Sequence, residues 1–192
     1  DAVLTTDDIS YMGLSLSGLS AELVGIDGLT FGVWDGAVKV NQMTVGTTAA
    51  AGSTKIDWST FTESSDSLVI PTLDVSASVD IYAQGSVALD AFGVLIAKGS
   101  FSISLGQVVE DGVPGTTYQA MVLQLGSTAF AGASAVEVFV GVDGVLQDND
   151  GTNLTPSNYA DDQVIYDAGL GFHATLDSLQ MVTLKDPGAA AV

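Results

Sequence analysis

From Leu73 to Leu105 every odd-numbered position is apolar, Ala or Gly, while the even-numbered ones are mostly Asp, Ser, Tyr, Gln and Lys. A period of two places one set of residues on one side of a β-strand and the other set on the opposite side, and no helix satisfies it. As a single strand the stretch would span roughly 109 Å at about 3.3 Å per residue, so it has to fold back on itself. A two-residue hairpin loop would move the apolar set to even numbers, whereas a three-residue loop keeps it odd. Asp90-Ala91-Phe92-Gly93 supplies such a loop, with Asp opening the turn and Gly in the left-handed position. The expected register pairs Asp90 with Val94, Leu89 with Leu95, Val87 with Ala97, Gly85 with Gly99, Ala83 with Phe101 and Ile81 with Ile103. On this pattern the odd face is the buried one and Phe101 belongs to the core. Phe92, Val94 and Ile96 are the apolar exceptions on the even side.

Elsewhere the pattern is shorter in range. Between Tyr11 and Val45 apolar residues come in Gly-punctuated pieces, with Asp27-Gly28 and Asp35-Gly36 reading as two-residue hairpin loops. They would set Val24 opposite Phe31, Val33 opposite Val38 and Phe31 opposite Val40. The stretch 46–66 reads as a connection with one short strand at Ile56–Phe61. Gly112-Val113-Pro114-Gly115 is a loop, Tyr118–Leu125 and Ala135–Val140 are strands, 143–162 is an acidic loop, and Leu170, Phe172, Ala174 and Leu176 mark a last strand before an Asp-Pro-Gly exit at 186–188. Nothing has the period of a long amphipathic helix. Residues 1–10 read as a linker, 11–187 as one module and 188–192 as an exit linker. Asp7-Asp8, Tyr11 and Gly13-Leu14-Ser15-Leu16 are echoed by Asp161-Asp162, Tyr166 and Gly169-Leu170-Gly171-Phe172.

The fold class expected is all-β and mostly antiparallel, sandwich-like or prism-like, with long strands bent at glycines. A β-solenoid is the alternative, favoured by the short pieces of 11–45 and opposed by the hairpin parity.

Charge narrows the partners. With 23 acidic residues, four lysines and no arginine, the net charge is −19, which disfavours nucleic acid, phosphate-bearing ligands and anionic lipid. No apolar run reaches the length of a membrane-spanning helix, so no membrane insertion is expected. The absence of cysteine removes disulfides, thiolate metal sites and a Cys nucleophile. Asp1, where an initiator Met would stand, reads as the start of an excised or processed segment.

The segments Ala21-Glu22-Leu23-Val24-Gly25-Ile26-Asp27-Gly28-Leu29, Gly85-Ser86-Val87-Ala88-Leu89 with Gly99-Ser100-Phe101, and Ala168-Gly169-Leu170-Gly171-Phe172 leading to Leu184-Lys185 resemble the tandem β-rich repeat modules of giant secreted bacterial surface proteins of the adhesin kind. The resemblance implies an extracellular or cell-surface module, structural or adhesive, whose partners are neighbouring copies of the same module, often in calcium-rich surroundings. It supplies no catalytic residue. The chain carries one module and lacks the Gly-Gly-x-Gly-x-Asp calcium repeat.

The densest set of oxygen ligands is Asp143, Asp148, Asp150, Asn153, Asp161 and Asp162, a composition suited to calcium, which takes six to eight oxygens in irregular geometry. Asp148–Asn153 resembles half an EF-hand loop, although its Gly comes early and Tyr159 stands where the bidentate Glu would be. Asp7 and Asp8 could join such a site at a module boundary, though a solvated linker is the simpler reading. His173, the one histidine, is opposite in parity to the apolar set and is expected to face solvent. No Gly-x-Ser-x-Gly elbow or imidazole cluster selects a catalytic centre, and no carboxylate pair stands out, so the expectation is a non-enzyme. Trp34, Trp58, Tyr82 and Tyr118 offer a stacking platform for surface glycans, which makes a carbohydrate-binding module the second reading and a secreted hydrolase the third.

Overall fold

The computed structural model describes residues 9–46, 54–64, 68–109, 117–149, 159–166 and 169–186. The strands are β1 (Ile9–Leu23), β2 (Leu29–Val45), β3 (Val79–Ala91), β4 (Leu95–Val109), β5 (Thr117–Gly126), β6 (Val136–Val142), β7 (Val145–Gln147), β8 (Gln163–Ile165), β9 (Leu170–Leu176) and β10 (Ser178–Lys185). Every pairing is antiparallel. The main sheet runs β1-β2-β3-β4-β5-β10. Along β4, Phe101–Val109 pairs with β5 and Leu95–Lys98 with β6, so β5 and β6 lie end to end. Beyond them β10 and β9 lie end to end in turn. The sheet closes into neither a barrel nor a solenoid. A second, two-stranded sheet, β7–β8, rests on β3, β4 and β6, which makes a sandwich of two very unequal layers.

Residues 11–45 are not a set of short pieces. They form most of two strands of 15 and 17 residues. Asp27-Gly28 does turn the chain, with the Leu29 N–H donating to the Ile26 carbonyl at 3.2 Å. Gly25 and Gly28 both take positive φ in a longer loop, so Leu23 rather than Val24 faces Phe31. Asp35-Gly36 makes no hairpin. Asp35 takes a φ of 52° inside β2, and the register slips between Trp34 and Ala37. An Asp in the left-handed region can make a bulge as well as a turn, and here a matching slip in β1 around Leu19 lets both strands continue. The short strand expected at Ile56–Phe61 is also absent, because Trp58–Thr60 is a turn in which the Asp57 carboxylate accepts the Ser59 N–H.

The β3–β4 hairpin has the three-residue loop that parity requires, one position later than expected. Ala91 pairs with Leu95, so Gly85 faces Phe101, Gly99 faces Val87 and Ala83 faces Ile103. The cause lies in the turn. Phe92 as well as Gly93 is left-handed, with φ of 59° and 66°, and the Val94 N–H donates to the Ala91 carbonyl at 3.0 Å. Asp90 accepts the Gly93 N–H at 3.0 Å and the Leu146 N–H at 3.2 Å. The Phe92 N–H docks on the Gly28 carbonyl.

The larger correction concerns which face is covered. The buried residues of β3 and β4 are mainly even-numbered: Ser86, Ala88, Ile96, Ser100 and Ser102. The core consists of Trp34, Ala88, Ile96, Phe139, Leu146, Tyr159 and Val164, with Tyr166 packed against it. These meet because β7, β8 and residues 159–166 lie on the even face. Gly32 leaves room for the ring of Tyr159, and Gly13 for those of Trp58 and Leu73's methyl. Asn41, fully buried, ties the segment around Trp58 to the sheet. Its amide donates to the carbonyls of Ile56 and Ser76 at 2.8 and 2.9 Å and its oxygen accepts the Trp58 Nε1–H at 3.1 Å. Between these two covers, the hydroxyls of Ser86, Ser100 and Ser134 are linked at 2.7 and 3.2 Å. Phe101, on the other face, is only half-buried.

Candidate functional site

The odd face of β3 and β4 continues across the whole sheet. Through the observed registers it aligns Leu14, Leu16 and Leu23 of β1, Phe31, Val33, Val38 and Val40 of β2, Leu123 and Leu125 of β5, Val138 and Val140 of β6, Phe172 of β9 and Leu179 and Met181 of β10. Leu14, Leu16, Leu23, Phe31, Ile81, Leu105, Val140, Leu179 and Met181 are all exposed, and Phe172 retains 72% of its surface. Gln42, Gln107, Gln119 and Lys185 close this face at the end where β1 begins and β10 ends. Above that polar strip the paired positions named here carry no charge. Exposed apolar areas of this extent mark sites of association. Near its middle, Val87, Ala97, Phe101, Leu125 and Val136 wall a hollow of about 290 Å³. It lies where Gly99, without a side chain, lets the Val136 backbone come close.

The two edges of the sheet are the second feature. Among the described residues β1 pairs only with β2, and β9 and β10 only with β6 and β5. Natural edges are commonly protected by Lys, Pro or a short length. β1 contains no Lys, Arg or Pro over its 15 residues, and β10 has Lys185 at its last position.

The acidic positions are distributed differently. Pairing of Gln147 with Gln163 brings Asp148 and Asp162 to one end of the β7–β8 hairpin, with Asp161 beside them, and leaves Asp143 before its other end. Asp143 is exposed with a φ of 60°, and Asp162 is buried. Asp150 and Asn153 lie outside the described residues, as do Asp7, Asp8, the Gly112–Gly115 loop and the exit segment 188–192. Among the described residues no three acidic or imidazole side chains gather closely enough to hold a metal ion.

Lys98 holds the acidic segment to the sheet. Its ammonium donates to the carbonyls of Ala160 and Asp162 at 2.7 and 2.6 Å and lies 5.8 Å from the Trp34 ring. Burial pulls the Lys98 pKa down, against the opposing pull of Asp162, Asp161 and Glu137. Burial, then the Glu22 carboxylate, pushes the Tyr159 phenol up to about 12. His173 is on the even face, as its parity requires, but it does not project freely into solvent. Its ring stacks on Tyr166 at 4.1 Å, Tyr166 stacks on Phe139, and Nε2 is 2.8 Å from Glu137. The aromatic platform is dispersed: Trp34 is buried beside Tyr159, and Trp58 packs on Phe61. A cleft of about 700 Å³ beside Asn41, Lys55 and Asp80 has its cation occupied, since Lys55 donates to the Val79 carbonyl and to Asp80. The open face is what sequence reasoning missed. The signal was present in Leu179 and Met181, whose alternation extends the apolar face to the last strand.

Comparison with protein families, with curated proteins and with solved structures returned no match.

Proposed function

We propose that this chain is a structural or adhesive module of an extracellular surface protein, and that it works by extending its sheet into neighbouring copies of itself. The observation that supports this is the geometry of the edges. The start of β1 and the end of β10 lie at the same end of the sheet on opposite sides, because Ile9 is level with Val45, Val40 with Ile81, Val79 with Gly106, Val109 with Thr117 and Gln119 with Lys185. A copy translated across the sheet therefore sets its β1 antiparallel to β10, with the same face apolar. The echo of Gly13-Leu14-Ser15-Leu16 in Gly169-Leu170-Gly171-Phe172 places like residues on that face at both edges. Addition of a strand to an open edge satisfies backbone N–H and C=O groups that water otherwise solvates.

Electron microscopy of the single chain and of two tandem copies tests the reading. Lengthening ribbons or rigid tandem particles are the expected result, and flexible tandem copies with separate monomers would remove its support. In this proposal calcium stiffens the assembly by neutralising carboxylates around Asp148 and Asp162. The melting temperature is then expected to rise between chelator and millimolar calcium at constant ionic strength, by an amount set by RT ln(1 + [Ca]/Kd). An unchanged value would dismiss the ion while leaving the edge reading intact.

A further inference from the structure

We infer that the apolar face of the sheet is covered by the same face of a second copy, so that two copies pack sheet on sheet into a sandwich. This goes beyond the edge-to-edge reading and stands on a different observation.

The first argument is area. Six strands at about 4.8 Å and roughly 13 residues at about 3.3 Å give a footprint of about 1,200 Å². A standard stable interface buries about 800 Å² per partner, so half-overlapped faces still approach that size. The second argument is that the chain's own remaining segments are unsuited to the task. The longest stretch outside the described residues, 150–158, is polar throughout except for Leu154 and Pro156, and one such segment cannot cover a face six strands wide.

The third argument is charge. The chain carries a net −19, so any contact between copies that brings carboxylates together is opposed. The apolar face above its polar strip is uncharged at its paired positions, and facing it onto itself keeps the acids at paired positions, Glu22, Asp90 and Glu137, on the two outer surfaces. The same charge repels an anionic membrane surface. Two sheets in this arrangement sit about 10 Å apart with side chains interdigitating. The hollow beside Gly99, flanked by the ring of Phe101, offers each copy both a recess and a projecting group near the centre.

The chain has no cysteine, so a single introduced thiol reports on one place. In Ile103→Cys the thiol stands mid-face between Ala83 and Leu123; in Gln180→Cys it stands on the opposite face of β10. The expected result is that the rate of thiol modification at position 103 falls at least about tenfold as protein concentration rises through the dimer dissociation constant measured by sedimentation. The rate at position 180 stays constant. Ile103→Asp, checked for retained β structure by circular dichroism, is expected to raise that constant about a hundredfold or more, as burial of an unpaired charge demands. Ser104→Asp, on the other face and in the interior strand β4, should leave it unchanged. Should Ile103→Asp fail to fold, the thiol rates alone decide. Concentration-independent rates at both positions, association unaffected by Ile103→Asp, or a monomer that binds zwitterionic vesicles through this face would each overturn the inference.

Discussion

Phe139 is enclosed by glycines, and replacing one of them tests whether the core packs as described. Hypothetical Cβ atoms at Gly141, Gly144, Gly169 and Gly171 would all touch its ring. At Gly141 and Gly171 an added methyl would also strike backbone, whereas at Gly144 the nearest atoms it would meet belong to side chains, 2.6 Å away at Phe139 Cε1 and 3.0 Å at Ile96 Cγ1. Gly144 is not left-handed, so Ala fits its backbone. Phe139 and Ile96 are 2% and 0% exposed and have nowhere to retreat, so Gly144→Ala should cost about 1–3 kcal/mol through overpacking. Phe139→Ala should cost about 3–5 kcal/mol. In the double variant the new methyl enters the space the ring has left, and the two costs should fall short of additive by about 1–3 kcal/mol. Urea unfolding followed by circular dichroism at one protein concentration, with unchanged m-values, measures the cycle. Additivity within about 0.5 kcal/mol would refute the glycine enclosure.

Two further predictions concern the segment that covers the core. Lys98→Met keeps the aliphatic stem but leaves the Ala160 and Asp162 carbonyls without the ammonium. It should destabilise by about 2 kcal/mol and speed amide exchange at Tyr159–Val164; exchange equal to the parent would show that the lysine anchors nothing. For Tyr159, an unfolded phenol ionises near 10 and the folded one near 12. Its protonated form therefore contributes its full stability below pH 10, and that contribution is lost as pH rises through about 12. Tyr159→Phe should lose stability less steeply over that window in urea titrations, and parallel curves would contradict the assignment.

Much of the sheet was legible because a period of two is a local property of the chain. The β3–β4 hairpin, its loop length, β5, β6 and β9 all follow from it. The pattern defines two faces, however, and says nothing about which one the chain itself will cover. That depended on Trp58, Leu146, Tyr159 and Val164, which come from segments without long periodicity and dock on a face of serines and alanines from which Trp34, Ile96 and Phe139 rise. Ile96 looked like an exception to the alternation and is a centre of the core. β10 was obscured because its apolar residues fall on both parities, Leu179 and Met181 odd and Val182 and Leu184 even, while those of β9 are even, and the facing set changes parity at Asp177 between them. Asp35-Gly36 has the composition of a hairpin loop, and only the continuation of β1 alongside shows it to be a bulge. The acidic positions were legible as a composition and not as a constellation, because the β7–β8 hairpin separates Asp143 from Asp148 and Asp162.

The placement of Ile9 and Lys185 at one end of the sheet, on opposite outer strands, decides how the molecule bears load. A pull between Ile9 and Lys185 acts across the strands. It opens the outermost ladders one hydrogen bond after another, each contributing only about 1 kcal/mol, instead of shearing a whole ladder at once. Under tension β1 or β10 peels away first, while the layer around Phe139 and Ile96 stays closed. A single copy therefore gives way gradually at its margins, and a neighbour's strand laid along β1 or β10 is what would convert that weak margin into an interior.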